Sequence, residues 1–216
     1  MTDTIRARAV LLDMDGTLVD STAVVERLWL EWAAPHGLDP KAVLDTVHGR
    51  QGHQSMAILL PDREHAINLR ENEQMLARES GDTAGVVAIP GASDLLADLA
   101  PHPHAIVTSA DVTLMTARMD AAELPLPAVQ ITAESVSASK PDPEGFLAGA
   151  EALGIPPQDC LVFEDSQAGI LAGLAAGMRV IGVGPHAAAY HPTFSIPDLT
   201  HVHIATEGDE LLVTLN

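Results

Sequence analysis

The chain has 216 residues, 47% apolar but only 3% aromatic, and its 30 acidic against 11 basic residues give a formal net charge of −19. A surface this acidic repels phosphodiester backbones and anionic lipid, which disfavours nucleic-acid and membrane roles; an anionic small substrate would need a locally positive pocket. The length suffices for one core, or one core plus a small inserted unit, built from Ala, Val, Leu and Ile, which suits helices packed on a parallel sheet.

Arg6 and Arg8 precede an apolar run that stops at Asp13, too short for a signal-peptide core, and no later stretch approaches a membrane span. The single cysteine, Cys160, excludes an internal disulfide and fits a reducing cytosol, so a soluble, cytoplasmic protein is expected. The run Ala9–Leu12 enters an acid with no helical spacing before it. It reads as a buried parallel strand ending in Asp13-Met14-Asp15-Gly16-Thr17. Ligands of open α/β sheets bind outside the carboxyl ends of strands, where Asp13 and Asp15 would project. An Asp-Gly turn explains Asp15-Gly16 but not the acid two residues earlier.

Residues 21–86 change character. Val24, Val25, Leu28, Trp29 and Trp32 fall at helical spacing, then Pro35-His36-Gly37 breaks the pattern. A short helix through Ala42, Val43, Leu44 and Val47 follows, then a third through Met56, Ile58, Leu59 and Leu60, stopped by Pro61. Residues 62–80 read as one amphipathic helix with Ile67, Leu69, Met75 and Leu76 partly inward. With no strand signal before Val86, this is an all-helical unit inserted after the first strand.

From Val87 the α/β alternation resumes. A helix runs through Leu95, Leu96 and Leu99, a strand covers Ala105-Ile106-Val107, and Asp111 caps a helix holding Leu114, Met115 and Met119. Val129-Gln130-Ile131 is a short strand, residues 143–153 a helix closed by Gly154, and Cys160-Leu161-Val162-Phe163 a strand in which the cysteine is a core residue. Ile170, Leu171 and Leu174 lie on a helix stopped by Gly177, and Val180-Ile181-Gly182-Val183 is another strand. The proline-bearing tail reads as looser, with residues 201–205 a possible edge strand. The histidines, including His102, His104, His201 and His203, complete no zinc set.

Three more strand ends carry polar residues in line with the first. Thr108-Ser109 adjoins a helix start, a place where backbone amides hold anions. Lys140 stands in Ser139-Lys140-Pro141-Asp142-Pro143, where prolines stiffen the backbone around a cation. Glu164-Asp165 puts two acids at the end of an apolar strand.

In order and spacing, these four segments resemble the Mg-dependent phosphatases of the haloacid dehalogenase-like superfamily over about residues 9–184. The resemblance implies an α/β fold: a Rossmann-like three-layer parallel-sheet core (1–20 and 87–216) with an all-helical cap domain inserted at 21–86. It also implies Asp13 as nucleophile, forming an aspartyl-phosphate, and Asp15 as the acid that protonates the leaving oxygen and then accepts a proton from water. Lys140 would neutralise Asp13 and the phosphoryl group, while Thr108, Ser109 and Ala110 hold its oxygens through hydroxyls and amides. Four carboxyl groups in one pocket call for a hard divalent cation, Mg²⁺. By the resemblance its ligands are Asp13, the backbone carbonyl of Asp15, and Asp165, with Glu164 in or near the shell.

The cap turn Val47-His48-Gly49-Arg50-Gln51 looks like the cap loop of sugar-phosphate, glycerol-phosphate and deoxysugar-phosphate phosphatases. It makes His48, Gly49 and Arg50 substrate-binding candidates; the alternative is a polar loop facing solvent. β-Phosphoglucomutases are the rival inside the superfamily. They keep a hinge histidine where Val25 stands and a phosphate-binding arginine where Gly52 stands. A non-catalytic binding module of the same fold is the rival outside enzymology, but it would have no need of both members of the aspartate pair. Hinge loops near Asp20 and Ala88 would absorb cap motion. The expected partner is a small-molecule phosphate monoester, with no nucleic acid and no membrane, on a monomer or weak homodimer.

Overall fold

A computed structural model of the protein describes residues 3–216; the first two residues of the segment 1–20 lie outside the described residues. β1 (Asp3–Ala7) and β2 (Ala9–Leu12) are separated only at Arg8, whose amide donates to the Asp159 carbonyl at 2.7 Å. β3 (Val19–Asp20) leads into the helices α1 (Thr22–Ala33), α2 (Pro40–Val47), α3 (Gly52–Leu59) and α4 (His65–Gly81), and β4 (Val87–Ala88) leads out of them. Helices and strands then alternate: α5 (Ala92–Leu99), β5 (His104–Val107), α6 (Val112–Ala121), β6 (Val129–Ile131), α7 (Glu144–Leu153), β7 (Cys160–Glu164), α8 (Gln167–Ala175) and β8 (Arg179–Val183). β9 (Phe194–Ile196), β10 (Val202–Glu207) and β11 (Glu210–Leu215) close the chain.

The main sheet has the order β6-β5-β2-β7-β8-β9, with every neighbouring pair parallel. All of β2 and β7 is buried, as central strands covered on both faces must be. Side chains alternate between two apolar layers. Val10 and Leu12 join Leu95, Leu99, Leu114 and Met115 of α5 and α6; Ala9 and Leu11 join Phe146, Ala150, Ile170 and Ala172 of α7 and α8. The result is a three-layer α/β core. As anticipated, Asp111 caps α6 by accepting from the Leu114 amide at 2.8 Å, and Gly154 ends α7 in the left-handed region at φ 68°.

The four helices α1–α4 have their own apolar cluster of Trp29, Ala33, Val43, Val47, Met56 and Met75. Trp29 and Trp32 meet edge to face at 5.4 Å, and the Trp32 indole donates to Glu71 Oε2 at 2.8 Å. Two sequence expectations fail on α4. It begins at His65, because the Arg63 amide closes a turn on the Leu60 carbonyl, and Leu69 faces solvent while Asn68 turns inward.

The passages near Asp20 and Ala88 are not free loops. Val19 pairs with Ala88 and Asp20 with Val87 in an antiparallel ribbon, extended by the Ile89 amide donating to the Leu18 carbonyl at 2.8 Å. Nor is the tail loose. β11 lies between β1 and β10 in a three-stranded antiparallel sheet, and Leu211, Val213 and Leu215 pack into the same layer as α5. The expected edge strand at 201–205 is β10, at the edge of this second sheet rather than the first.

Candidate active site

The site forms where β2, β5 and β7 end. Backbone pairing continues one residue past β2, the Asp13 amide donating to the Phe163 carbonyl at 3.0 Å. The chain then turns back, with the Leu18 and Val19 amides donating to the Met14 carbonyl at 2.8 and 3.0 Å. Gly16 sits at φ 84° in this turn, and a Cβ there would lie 2.0 Å from Asp165 Oδ2. Only glycine lets the two acidic loops come this close.

Lys140 is 5% exposed, and its Nζ donates to Asp13 Oδ1 (2.5 Å), Glu164 Oε1 (2.9 Å) and the Val107 carbonyl (3.0 Å). Burial alone would lower the lysine's pKa, but the facing Asp13 and Glu164 carboxylates outweigh it and hold the ammonium above its ordinary value. Burial drives the Asp13 carboxyl up to about 8 against the pull of Lys140, with Glu164 and Asp15 adding repulsion. Asp165 is raised well above the usual range, by burial first and then by Glu164 and Asp13. One lysine does not neutralise this cluster.

The donor set fits a hard divalent cation. Carboxylate oxygens of Asp13, Glu164 and Asp165 lie within 4.8 Å of one another, and the buried Oδ1 of Asp165 has no hydrogen-bond partner among the described residues. Glu164 differs from the other two. Its Oε1 takes Lys140, and its Oε2 accepts from the Ser166 amide (2.7 Å) and hydroxyl (3.0 Å).

Thr108, 6% exposed, directly follows β5, and its Oγ1 accepts from the Ala110 amide at 3.1 Å, so that amide is engaged locally. Ser109 Oγ donates to the carbonyl of Gly49 in the helical insert at 3.2 Å. Gly49, at φ 76°, also meets the loop after Asp165, since a Cβ there would lie 2.1 Å from Ser166 Oγ. The cap turn therefore rests on the strand ends. His48, Gly49 and Arg50 border one cavity of about 110 Å³ together with Asp13, Asp15 and Asp165, and Val25 and Gly52 border it too. Arg50 donates to the Thr46 carbonyl at 3.3 Å. His48 stands 3.9 Å from Glu26, and burial depresses its pKa against the pull of Glu26 and Asp15, favouring the neutral ring.

Three residues at this site escaped the sequence reading. Ser21 Oγ donates to Asp15 Oδ1 at 2.6 Å, and Arg118 Nη1 donates to Asp15 Oδ2 at 2.5 Å. The other arm of Arg118 donates to Glu79 Oε2 at 2.6 Å, and both residues are buried. A signal was present: Arg118 lies four residues after Leu114 on the buried stripe of α6, and Glu79 four after Met75 on that of α4. A charge on an inward stripe needs a partner.

A family model described as haloacid dehalogenase-like hydrolase matches residues 7–177. The chain is 45% identical over 180 residues to hexitol phosphatase A of Escherichia coli (strain K12), covering 82% of this chain and 83% of that protein. It is 31% identical to glycerol-1-phosphate phosphohydrolase 1 of Saccharomyces cerevisiae, over 83% of this chain and 75% of the yeast protein. Among solved structures, a hydrolase from Pseudomonas syringae superposes with a TM-score of 0.76 at 26% identity, covering 89% of this chain and 94% of that one. An acid pair at the end of the central strand, a buried lysine against it and an all-helical insert above it thus accompany direct sequence similarity: the chain belongs to the haloacid dehalogenase-like hydrolases.

Proposed function

We propose that the protein hydrolyses small phosphate monoesters, of the sugar or polyol phosphate class, through an aspartyl-phosphate on Asp13. The observation that carries this reading is the buried Asp13–Lys140 pair, with Asp13 bordering the cavity and a second carboxyl, Asp15, two residues away on the same wall. The relatives' names, hexitol phosphatase and glycerol-1-phosphate phosphohydrolase, support the polyol side of it.

The Asp13 carboxylate attacks phosphorus while the ester bond to the leaving oxygen breaks, and Asp15 gives that oxygen its proton. Asp15 then takes a proton from the water that attacks the aspartyl-phosphate, releasing inorganic phosphate and restoring Asp13. Lys140 pulls Asp13 toward its ionised form and offsets phosphoryl charge, and the Thr108 hydroxyl, whose own proton is uncommitted, is a donor for a phosphoryl oxygen, while Ser109 ties the cap turn to the strand end through Gly49. The cap residues His48, Gly49 and Arg50 face the leaving group, where a neutral His48 and the Arg50 guanidinium suit hydroxyls. Docking of the helical insert on the strand ends excludes bulk water.

Mg²⁺ suits the oxygen donors, with Asp13, Asp165 and the Asp15 carbonyl as ligands and Glu164 behind them holding Lys140 and Ser166. When bound, the ion supplies the positive charge that lets Asp13 and a phosphate dianion approach each other. No helix among the described residues is long and apolar enough to cross a membrane, and the buried free thiol of Cys160 suits a reducing cytoplasm.

The test is phosphate release across sugar, polyol and nucleotide monophosphates, with Mg²⁺ or EDTA, beside Asp13→Asn. Release should require the metal and fall by about 10³-fold or more in the variant. Sugar-phosphate interconversion without phosphate release would instead identify a mutase.

A further inference from the structure

Both oxygens of Asp15 are held, and both holders connect it to the helical insert. Ser21, on Oδ1 at 2.6 Å, is the residue at which the chain enters α1. Arg118, on Oδ2 at 2.5 Å, belongs to α6 of the core, but its second arm grips Glu79 on α4, the last helix of the insert, at 2.6 Å. Arg118 is 3% exposed and Glu79 6% exposed, so neither ion has solvent as an alternative partner. The planar fork of a guanidinium fixes the two carboxylates relative to each other, which an ammonium cannot do. Arg118 is thus a rigid link between the Asp15 loop and α4.

We propose that Arg118 is a positioning residue for Asp15 and that Glu79 sets Arg118, so that the acid–base group is correctly oriented only while α4 is docked against α6. This rests on the hydrolase reading above. Undocking of the insert would withdraw Glu79, free the guanidinium and let the Asp15 side chain leave its orientation. Cap closure and readiness for proton transfer would then be one event rather than two. A direct role of Glu79 or Arg118 in holding substrate is the competing idea, and it would act on KM.

The experiment compares Arg118→Met, Arg118→Lys, Glu79→Gln and the Arg118→Met/Glu79→Gln double variant on two esters. One is a polyol phosphate, whose leaving alkoxide needs a proton; the other is p-nitrophenyl phosphate, whose leaving group does not. Arg118→Met should lower kcat on the polyol phosphate by about 100-fold with KM nearly unchanged, within the range for a displaced acid–base group. On p-nitrophenyl phosphate it should keep a rapid burst of one nitrophenol per enzyme. Arg118→Lys should fold normally yet lose about tenfold or more, because it keeps the charge and not the fork. The double variant should be no worse than Arg118→Met, since the two residues act in series. Equal loss of the burst and of polyol turnover, a rise in KM alone, or independent losses that multiply would overturn the proposal. Amide hydrogen exchange gives a readout without any ester. Glu79→Gln should speed exchange both in α4 and across residues 13–21, and unchanged exchange at 13–21 would overturn the link even if no monoester proved to be a substrate.

Discussion

Close approach by missing side chains shapes the site as much as the acids do. Gly169 lies in the first turn of α8, and a Cβ there would stand 1.7 Å from Glu164 Oε1 and 2.0 Å from its Cδ. Alanine is the better helix former by about 1 kcal/mol, but overpacking a filled core costs about 1–3 kcal/mol. Displacing Glu164 would also disturb its bonds to Lys140 and Ser166. Gly169→Ala should therefore destabilise the protein by about 2 kcal/mol and cut turnover, because Lys140 loses one of the carboxylates that hold it against Asp13. Gly81, at the end of α4 with open space around it, is the control: Gly81→Ala should be neutral or stabilising by up to about 0.5 kcal/mol. Urea unfolding of both, beside phosphate release, checks the contrast. Asp13, Lys140 and Asp165 were legible because each ends an apolar strand or sits in a distinctive local setting. Arg118 and Glu79 were not, because a lone charge within an amphipathic helix is indistinguishable from a solvated one until its stripe is known to face inward.

Among the elements, the parallel strands could be read directly, since strands buried on both faces appear as unbroken apolar runs such as Ala9–Leu12 and its neighbour beginning at Cys160. The helical insert was legible as helix but less so in its facing. The inward stripe of α4 carries Asn68, Met75 and Glu79, so its apolar periodicity is weak and points to an inward Leu69, which faces solvent instead. Polar anchoring compensates on the outer part of the insert. Arg63 bonds to Glu71, which also accepts from Trp32, and the guanidinium carbon lies 6.0 Å from the Trp32 ring centre. The Arg63 bond, with the Trp32 donor adding to it, holds the Glu71 carboxyl below its ordinary value despite some burial. A lowered folded-state pKa gives stability that is fully present above the usual carboxylate value and lost as pH falls through the lowered one. Glu71→Gln should therefore cost about 1 kcal/mol at pH 7. The gap to the parent should close as pH falls below the ordinary glutamate value of about 4.3, and urea midpoints taken on either side of it measure the change. A gap that widened on acidification would refute the assignment.

For the whole molecule, the feature least visible in the sequence is the second sheet, because its strands come from opposite ends of the chain. Asp3 pairs with Leu215 and Ala7 with Leu211, and nothing local announces a partner so distant. The period-two burial of Leu211, Val213 and Leu215 was the available signal, diluted by polar neighbours and by the prolines that precede it. This sheet is structural. β1 feeds the amino end of β2, whereas Asp13 leaves its carboxyl end, so its contribution is to stability and not to chemistry. Val213 tests the separation best. It is fully buried in the middle strand, with Ile5 opposite it on one side and Ile204 on the other. Val213→Thr keeps the shape and the strand preference but buries a hydroxyl that must find a partner, at a cost of about 1–3 kcal/mol. Removing residues 202–216 outright exposes the apolar side chains covered by Val202, Leu211, Val213 and Leu215, at about 1.5–3 kcal/mol each. That loss is comparable to the 5–15 kcal/mol that holds a whole domain folded. The truncated chain should therefore fail to give a cooperative melt, while Val213→Thr should melt several degrees lower yet keep kcat and KM within about twofold at 25 °C. A large fall in kcat in folded Val213→Thr protein would mean that the terminal sheet is coupled to the strand ends after all.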